Sequence, residues 1–407
     1  MPTIDHLLLL SATTSGGPSA LSSITPLEPA GGPQSVVAPA KYVTARQSDQ
    51  TYVYDTRFID GEPQRTVLLD SSQSQTNRIE QALDAAIGDG DTVLGRLPRI
   101  RVTYERDGVV EQYTDLTLPH RAFDAHIRAG SIDGAPTTDH DLYRAARDAN
   151  PLDASGLLNV SPISLVFGSW DASRKARQGR WPSALTGEVI GVLADQRAEA
   201  TTSPLKGGAR VDPVGMRAQV DGPTLLAMAE AQKRELSAKT YDDLVRVAKK
   251  LKPGETTSAA ALGFGGIPPT LAQLGGVSCR QITRASVLSF ATLRQIRFGA
   301  GARGDAACRA VLAALAINGL VRSNAELYLR AGCHLVEAGE TTTRIDRRNG
   351  QHEDLTLPSI DESDALLAEA LDDAAQHAGL DWHGQILEVV GNPAITAGRE
   401  DEPAGAE

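Results

Sequence analysis

The sequence has few cysteines, few aromatic side chains and no long apolar run. Its three cysteines, Cys279, Cys308 and Cys333, lie far apart in a chain of 407 residues, which argues against a disulfide framework and a thiolate zinc site. Eight histidines are equally scattered, so we expect no metal and no other cofactor. No apolar run approaches the roughly 20 residues that span a bilayer, and residues 7–10 are too few for a secretory signal. We therefore expect a globular, cytoplasmic protein without a membrane partner.

The motifs of common enzyme classes are also missing. The chain has no nucleophile elbow, no paired-histidine metal motif and no Walker loop. Asp70 and Ser71 cannot be assigned as a catalytic pair, because the sequence does not locate a general base for them. The sequence motifs therefore identify no catalytic residue.

Acidic residues are distributed unevenly. The formal net charge is −11, but 14 of the 51 acidic residues lie between Glu353 and Glu407. No Asp or Glu occurs between Glu255 and Asp305. Because phosphate contacts need cationic side chains, the arginines in this acid-free window form a candidate cationic surface. They are Arg280, Arg284, Arg294, Arg297 and Arg303.

The pattern of apolar residues predicts mixed helices and strands. Residues 11–39 are rich in Gly, Pro, Ser and Thr, which is typical of irregular covering structure. The dipeptide Asp107-Gly108 predicts a tight hairpin between residues 99–106 and 109–116. The other predicted elements are strands at 51–59 and 65–69, helices through 79–87, 224–251, 304–318 and 364–377, a strand-like alternating run at 292–298, and strands at 327–336 and 386–390.

These pieces indicate an α+β fold. A strand, helix and hairpin early in the chain and a strand, helix and strand late in it are the parts of a split βαβ sheet with large insertions. The predicted organisation is an irregular N-terminal segment (1–45), a main body with inserted regions (46–350), an acidic C-terminal helix and strand (351–395) and a disordered tail (396–407).

The first candidate binding motif is the turn between a predicted strand and helix at Asp70 to Arg78. Short hydrogen-bonding side chains fill this turn, and the amides at a helix start suit an anion such as phosphate. Alternatively, Asp70, Ser72 or Ser74 only caps the helix. Both interpretations can hold together, since a cap does not use every amide.

Three further segments combine glycines or aromatic residues with cations. In residues 160–182, four basic residues alternate with Trp170 and Trp181, offering phosphate contacts and stacking surfaces, although the tryptophans alternatively anchor a solvated loop. In residues 206–213, two glycines separate Lys206 from Arg210, as expected where a backbone approaches a polyanion. Residues 263–269 also expose backbone, although such Gly and Pro clusters are most often turns.

A competing interpretation comes from Gly299 to Gly304, which formally match the G-x-G-x-x-G dinucleotide fingerprint. The match lies between a strand-like run and a helix, as the fingerprint requires. However, residues 293–298 alternate cationic and apolar side chains, unlike the continuous apolar strand of a doubly wound sheet. A dinucleotide-binding enzyme therefore stays as the alternative function.

Several motifs together resemble one family. They are residues 68–75 with Asn77-Arg78-Ile79-Glu80, Ser161-Pro162 with residues 165–170, residues 209–213 and residues 263–269. This set resembles the RAMP-superfamily backbone (crRNA-binding) subunit of type I-G (formerly I-U) CRISPR surveillance complexes. The resemblance implies a palm of modified RRM or ferredoxin-like type, helical finger insertions and a thumb hairpin. The hairpin at Asp107-Gly108 and the region around Gly263 are both candidates for the thumb.

The resemblance also implies a non-catalytic role in antiviral defence. Copies would form a filament along the spacer of a guide RNA, bind it without regard to sequence and present it to target DNA. Further partners would be a large subunit, a guide-end capping or processing subunit and a helicase-nuclease. The residues that we expect to contact RNA are Ser71, Gln73, Ser74, Asn77, Arg78, Ser169, Arg174, Lys175, Arg180, Lys206, Arg210, Arg280, Arg284, Arg294 and Arg297.

Overall fold

A computed structural model describes residues 1–43, 50–106, 108–175, 179–197, 204–208, 219–264, 270–272 and 274–397. The chain divides into two compact units. Unit 1 comprises Met1–Thr202 and Gly276–Gly398, and unit 2 comprises Ser203–Gly275 and Arg399–Glu407. Both units contain helices and strands, which confirms the predicted α+β class.

The helices are α1 (His6–Thr13), α2 (Ser72–Gly88), α3 (Ala125–Arg128), α4 (Asp141–Asp148), α5 (Ser155–Leu158), α6 (Ile163–Val166), α7 (Gly222–Ala231), α8 (Ala238–Lys250), α9 (Phe290–Leu293), α10 (Gly301–Ala325), α11 (Ile360–Ala378) and α12 (Pro393–Ala397). The strands are β1 (Ala20–Pro29), β2 (Tyr42–Val43), β3 (Gln50–Thr51), β4 (Tyr54–Ile59), β5 (Glu62–Asp70), β6 (Arg99–Arg106), β7 (Val109–Thr114), β8 (Ser131–Ile132), β9 (Ala135–Pro136), β10 (Ser169–Trp170), β11 (Arg180–Trp181), β12 (Leu185–Leu193), β13 (Lys206–Gly208), β14 (Gln219–Val220), β15 (Thr257–Ser258), β16 (Thr270–Ala272), β17 (Cys279–Ser289), β18 (Tyr328–Arg330), β19 (Cys333–Glu337), β20 (Thr342–Asp346), β21 (His352–Leu355) and β22 (Ile386–Val390).

Unit 1 is built on a nine-stranded sheet. Its strand order is β18-β19-β1-β17-β12-β5-β4, and β20 pairs with both β1 and β21. The central pairs β1–β17, β17–β12 and β12–β5 are all antiparallel. A second sheet, in the order β7-β6-β22-β8-β9, joins the C-terminal strand β22 in parallel to β6. The hairpin predicted at residues 99–116 is therefore present, and Gly108 has the positive φ of 79° that its turn needs; Asp107 lies outside the described residues.

The core of unit 1 is organised around α10. Its residues from Gly304 to Val321 are all buried, and it packs against α1, α2 and α11. By length and composition alone α10 could cross a membrane, but its most apolar window is entirely buried in the protein, as in the central helix of a globular fold. Small residues allow the close crossings, because a Cβ on Gly319 would lie 2.6 Å from Cγ2 of Ile79 on α2.

The close crossing of α10 and α2 at Gly319 leads to a prediction about stability. We expect Gly319→Ala to lower the free energy of unfolding by about 1–3 kcal/mol, the usual result of overpacking a dense core. The control is Gly88→Ala at the end of α2, where an added Cβ meets no atom within 4 Å. That variant should lose no stability and gains up to about 1 kcal/mol if the helical preference of alanine is expressed there. Urea titrations followed by tryptophan fluorescence measure both variants, and equal midpoints would contradict the prediction.

Unit 2 contains the helical hairpin α7–α8 and two short strand pairs, β13–β16 and β14–β15. Leu225 and Ala229 of α7 pack against Leu244 and Ala248 of α8. The single helix that the sequence predicted at 224–251 is thus two helices, because residues 232–237 form a turn between them. Ser237 caps α8 by accepting a hydrogen bond from the amide of Thr240.

Three predictions about unit 1 need correction. Residues 20–29, expected to be irregular, form β1 at the centre of the large sheet. The run at 292–298 is not a strand, because α9 begins at Phe290 and Leu293, Ile296 and Phe298 are buried on the way to α10. The strand predicted at 327–336 is a hairpin of β18 and β19. The predicted strands near 51–69 and the helices near 79–87, 304–318 and 364–377 are present as β4, β5, α2, α10 and α11.

Candidate nucleic-acid interface

The turn between β5 and α2 presents a helix start to solvent. Ser71 is the N-cap, with extended backbone, and its hydroxyl accepts a hydrogen bond from the amide of Ser74 at 3.3 Å. The amides of Ser72 and Gln73 have no acceptor inside the helix, since the first turn of any α-helix leaves its amides unpaired. Gln73 and Asn77 are exposed beside them. Capping and anion binding can therefore share this turn, as the sequence suggested.

Asp70 stabilises the turn. Its carboxylate is fully buried and accepts hydrogen bonds from Ser74 Oγ at 3.0 Å and Gln75 Nε2 at 2.6 Å. Arg78 Nε donates to it at 3.2 Å, and Arg330 of β18 forms a second ion pair with it. The guanidinium of Arg78 also donates to the carbonyls of Tyr328 and Leu329. Arg78, and Ser74 through Asp70, therefore hold the turn in shape, and contact of Arg78 with phosphate stays a prediction.

A cleft of about 310 Å³ opens at the start of α2. One wall is polar and comes from the first two turns of α2, and the others come from three separate segments. The lining residues are Ser72, Gln73, Thr76, Asn77, Pro119, Arg121, Phe167, Ser183 and Thr186.

Arg121 forms the cationic wall of this cleft. It pairs with Glu80 of α2, which is only 4% exposed, and its Nη1 donates to the carbonyl of Gly168 at 2.7 Å. The guanidinium also lies 5.9 Å from the ring centre of Phe167. Burial raises the pKa of Glu80, and the hydrogen bond from Arg121 opposes this rise. Sequence reasoning missed Arg121, because nothing near it in the chain signals a partner 41 residues away.

The hairpin of β10 and β11 borders the cleft, since Phe167 precedes it and Ser183 follows it. Trp170 pairs with Arg180 across the two strands, and the Arg180 guanidinium lies 4.6 Å from the Trp170 ring centre. Trp170 is 52% exposed and Arg180 is exposed, whereas Trp181 is buried. One tryptophan thus anchors the hairpin, and the other presents a flat surface beside a cation. The burial of Trp181 agrees with the anchoring alternative, and the contact of Trp170 and Arg180 with nucleic acid stays a prediction.

The loop of this hairpin contains both structural and exposed cations. Asp171 is buried and pairs with Arg147, and Arg174 donates to the Arg147 carbonyl at 2.6 Å and to Asp148 at 2.7 Å. Lys175 is exposed. Ser169 donates through its hydroxyl to the carbonyl of Ser164 at 3.2 Å. Arg174 therefore braces the loop, while Lys175 and Arg180 face solvent; residues 176–178 lie outside the described part of the chain.

The arginines of the acid-free window do not form one surface. Arg284 is 4% exposed and pairs with Glu337, and burial lowers its pKa. Arg294 donates to the carbonyls of Ala12 and Pro18, and Arg303 pairs with Asp373 of α11. Within the described structure, two arginines of the window are exposed and have no ion pair. They are Arg280, which donates to Gln64, and Arg297. A sequence window without acids was a poor guide here, because the acids that pair with these arginines come from distant segments.

The remaining candidates fall in unit 2 or outside the described residues. Lys206 is exposed in β13, next to Gly207 and Gly208. Arg210 lies outside the described residues, as do residues 265–269, whereas Gly263 has a positive φ of 84°. Lys206 belongs to unit 2, whereas all residues that line the cleft belong to unit 1.

The glycines at 299–304 serve α10 and not a dinucleotide. The strand that the fingerprint needs immediately before them is absent, since α9 and a turn occupy residues 290–298 in the described chain. Asp305 instead accepts hydrogen bonds from the amides of Phe298 and Ala300. A Cβ on Gly304 would lie 2.6 Å from the carbonyl oxygen of His377 on α11. This glycine allows α10 and α11 to approach, so the alternative function has no structural support.

The Ser161-Pro162 motif also has a structural role. Ser161 is buried and donates to the carboxylate of Asp115, which accepts a second hydrogen bond from the amide of Ile100 at 3.1 Å. Ser164 lies 2.8 Å from Ser161, hydroxyl to hydroxyl. Burial raises the pKa of Asp115 to about 7, and both hydrogen bonds oppose this rise.

Comparison with known families adds evidence for unit 1. A family model described as CRISPR-associated protein GSU0053 (Cas_GSU0053) matches residues 21–196. This segment contains β1 except its first residue, the β5–α2 turn, every residue that lines the cleft, and the β10–β11 hairpin. No match was found among curated proteins. Over residues 21–196 the chain is similar to this family, which indicates a CRISPR-associated protein.

Proposed function

We propose that this chain is a non-catalytic backbone subunit of a type I-G (formerly I-U) CRISPR surveillance complex that binds guide RNA without reading its sequence. The match over residues 21–196 supports a role in CRISPR defence. The subunit would act in the cytoplasm, with the large sheet of unit 1 as a RAMP-type, RRM-like palm and unit 2 as an inserted finger or thumb region.

One observation carries the proposal. The exposed Trp170–Arg180 pair stands next to a cleft whose wall is the polar start of α2. Proteins that bind single strands without sequence preference combine cations for the phosphates with aromatic faces for the bases. A helix start adds amides that suit phosphate oxygens. The residues that we assign to RNA contact in unit 1 are Ser72, Gln73, Asn77, Trp170, Lys175 and Arg180.

The proposed partners follow from this role. Copies of the chain would line up along the guide RNA, and the guide would pair with target DNA. A large subunit, a guide-end capping or processing subunit and a helicase-nuclease would complete the system. Cleavage would belong to the helicase-nuclease, so incubation of the guide-loaded chain with target RNA or DNA and a divalent metal should yield no cut product.

The RNA proposal is tested by titrating the full chain with single-stranded RNA of unrelated sequences. We expect similar affinities for all of them. For each neutralised phosphate, the logarithm of the binding constant should fall by roughly 0.7 for every tenfold rise in salt concentration. Trp170→Ala should weaken binding by about 1–3 kcal/mol, because each base stacked on an aromatic contributes that much. The control is Tyr328→Ala, another exposed aromatic residue of unit 1. Strong sequence preference, or equal losses in the two variants, would contradict the proposal.

A further inference from the structure

Arg121 joins the two parts of the proposed RNA surface. Its side chain is 13% exposed, and two of its nitrogens donate to the carboxylate of Glu80 on α2. The third nitrogen, Nη1, donates at 2.7 Å to the carbonyl of Gly168, directly before β10. Glu80 lies on the same side of α2 as Thr76, which lines the cleft, because residues four apart share a helix face. A single side chain thus connects the helix that offers its amides to the hairpin that carries Trp170.

The backbone of Arg121 indicates that its side chain is needed at this position. Its φ is 50°, in the left-handed region, where a Cβ is disfavoured and glycine or asparagine fits best. The amide of Arg121 donates to the Leu118 carbonyl at 3.0 Å, and the amide of Asp124 donates to the Arg121 carbonyl at 3.1 Å. These bonds would form equally well with a glycine, which would turn the chain without strain. The contacts of the guanidinium therefore offset the strain of the backbone.

The contacts of Arg121 fix a direction as well as a distance. A guanidinium is planar and rigid, so donors aimed at two acceptors allow little rotation. The ring centre of Phe167 lies 5.9 Å from the guanidinium. Stability alone does not require the ion pair, since a buried pair replaced by apolar residues of similar volume is often as stable. The arrangement adds a fixed orientation of the segments that it joins.

The segment that Arg121 orients carries an aromatic face. Trp170 is 52% exposed and follows Gly168 after one residue. An RNA strand that contacts the amides of Ser72 and Gln73 and also stacks on Trp170 depends on the separation of α2 and the hairpin. A preorganised surface binds more tightly, because less of it has to be ordered on binding. Movement of the hairpin relative to α2 would weaken binding without removing any contact group.

We infer that Arg121 is a positioning residue, which holds Trp170 at a fixed place relative to the start of α2 and acts on RNA through Trp170. The inference rests on the proposed function. Direct contact of Arg121 with phosphate is the competing explanation. Against that explanation, all three nitrogens of the guanidinium already donate within the protein, and the side chain is mostly buried.

The test titrates the full chain with a single-stranded RNA of about 30 nucleotides between about 50 and 200 mM salt. Arg121→Lys keeps the positive charge but replaces the rigid fork by a single ammonium, which does not reproduce the contacts with both Glu80 and Gly168. We expect RNA binding to weaken about three- to tenfold, and by no more than in Trp170→Ala, because preorganisation is lost. The salt slope should stay unchanged, since no phosphate contact is removed.

Two controls separate positioning from a general loss of structure. Arg101→Lys makes the same change in the Arg101–Glu388 pair, which joins β6 to β22 and lies outside the lining of the cleft. It should alter RNA affinity by less than about twofold, because distant sites act independently. In the Trp170→Ala background, Arg121→Lys should also cost less than about twofold, because the residue through which it acts is gone.

A second variant and a measurement without RNA complete the test. Glu80→Leu with Arg121→Met removes the ion pair without leaving a buried charge, so it should fold and show the same loss of RNA binding. Trp181 and Trp382 are 6% and 3% exposed, so the quenching of fluorescence by acrylamide reports mainly on Trp170. Both Arg121 variants should increase this quenching relative to wild type, because the hairpin is released.

The outcomes distinguish this inference from the proposed function. The inference would be overturned by wild-type affinity in Arg121→Lys, by a smaller salt slope in that variant, or by a loss that adds fully to the loss in Trp170→Ala. Unchanged acrylamide quenching in both Arg121 variants would overturn it as well. Failure of the wild-type chain to bind RNA would reject the proposed function, while the quenching would still show whether Arg121 holds the hairpin.

Discussion

Asp70→Asn should lower the free energy of unfolding of unit 1 by about 3–5 kcal/mol, the usual loss when one member of a buried ion pair is removed. The Asp70 carboxylate is fully buried and compensates both Arg78 and Arg330. An asparagine removes the charge and turns an amide group toward side chains that are donors themselves. Two guanidiniums would then lie partly buried without a counter-charge.

Urea titration followed by tryptophan fluorescence suits this measurement, because Trp170, Trp181 and Trp382 all belong to unit 1. The control is Asp89→Asn at the exposed end of α2, which makes the same chemical change and should alter stability by less than about 0.5 kcal/mol. Adding Arg330→Gln to Asp70→Asn should cost less than the sum of the single changes, since it removes a charge already left without its partner. Additive losses would show that Asp70 and Arg330 are not energetically coupled. Equal losses in the Asp70 and Asp89 variants would contradict the expected cost of removing a buried ion-pair partner.

The second large effect is a dependence of stability on pH that comes from Asp115. Burial raises the pKa of this carboxyl from 3.8 to about 7. At pH values between these two, the carboxyl is protonated in the folded protein and ionised in the unfolded chain. Stability from this group is therefore fully present below about pH 4 and is lost as pH rises through 7. The slope is at most about 1.4 kcal/mol per pH unit.

Comparison with Asp115→Asn isolates this slope, because all other groups titrate in both proteins. The stability of the variant relative to wild type should rise by up to about 4 kcal/mol between pH 4 and 7 and then level off. Ser161→Ala provides the opposite change, since the Ser161 hydrogen bond lowers the pKa of Asp115. Its removal should extend the loss of stability to higher pH. Parallel pH profiles for wild type and Asp115→Asn would refute the assignment.

Local sequence was a good guide to elements with strong apolar periodicity. The order of β4, β5 and α2, the β6–β7 hairpin and α11 were all predictable, because side-chain periodicity and turn residues act over a few positions. The same local signals identified the start of α2 and the Trp170 to Arg180 segment. Their exposure is observed, and their contact with RNA stays a prediction.

β1 shows why other elements were missed. Its buried positions include Ser23, Thr25 and Pro29, so the usual apolar alternation is hidden. Pro26 argues further against a central strand, because proline cannot donate to a neighbour. In the fold, Pro26 sits where the partner of β1 changes from β20 to β19. The sheet can accommodate a proline at this position because the pairing of β1 is interrupted between β20 and β19, which the sequence of β1 alone does not show.

The sequence by itself determined the α+β class, the helix start that offers free amides, and the alternation of cations with tryptophans before β12. Tertiary structure alone decided which cations are available. Arg78 and Arg330 meet on Asp70, Arg284 meets Glu337, and Arg121 reaches Glu80. Such ion pairs join segments that are far apart in the chain, and their stability depends on burial and geometry, which local periodicity does not encode.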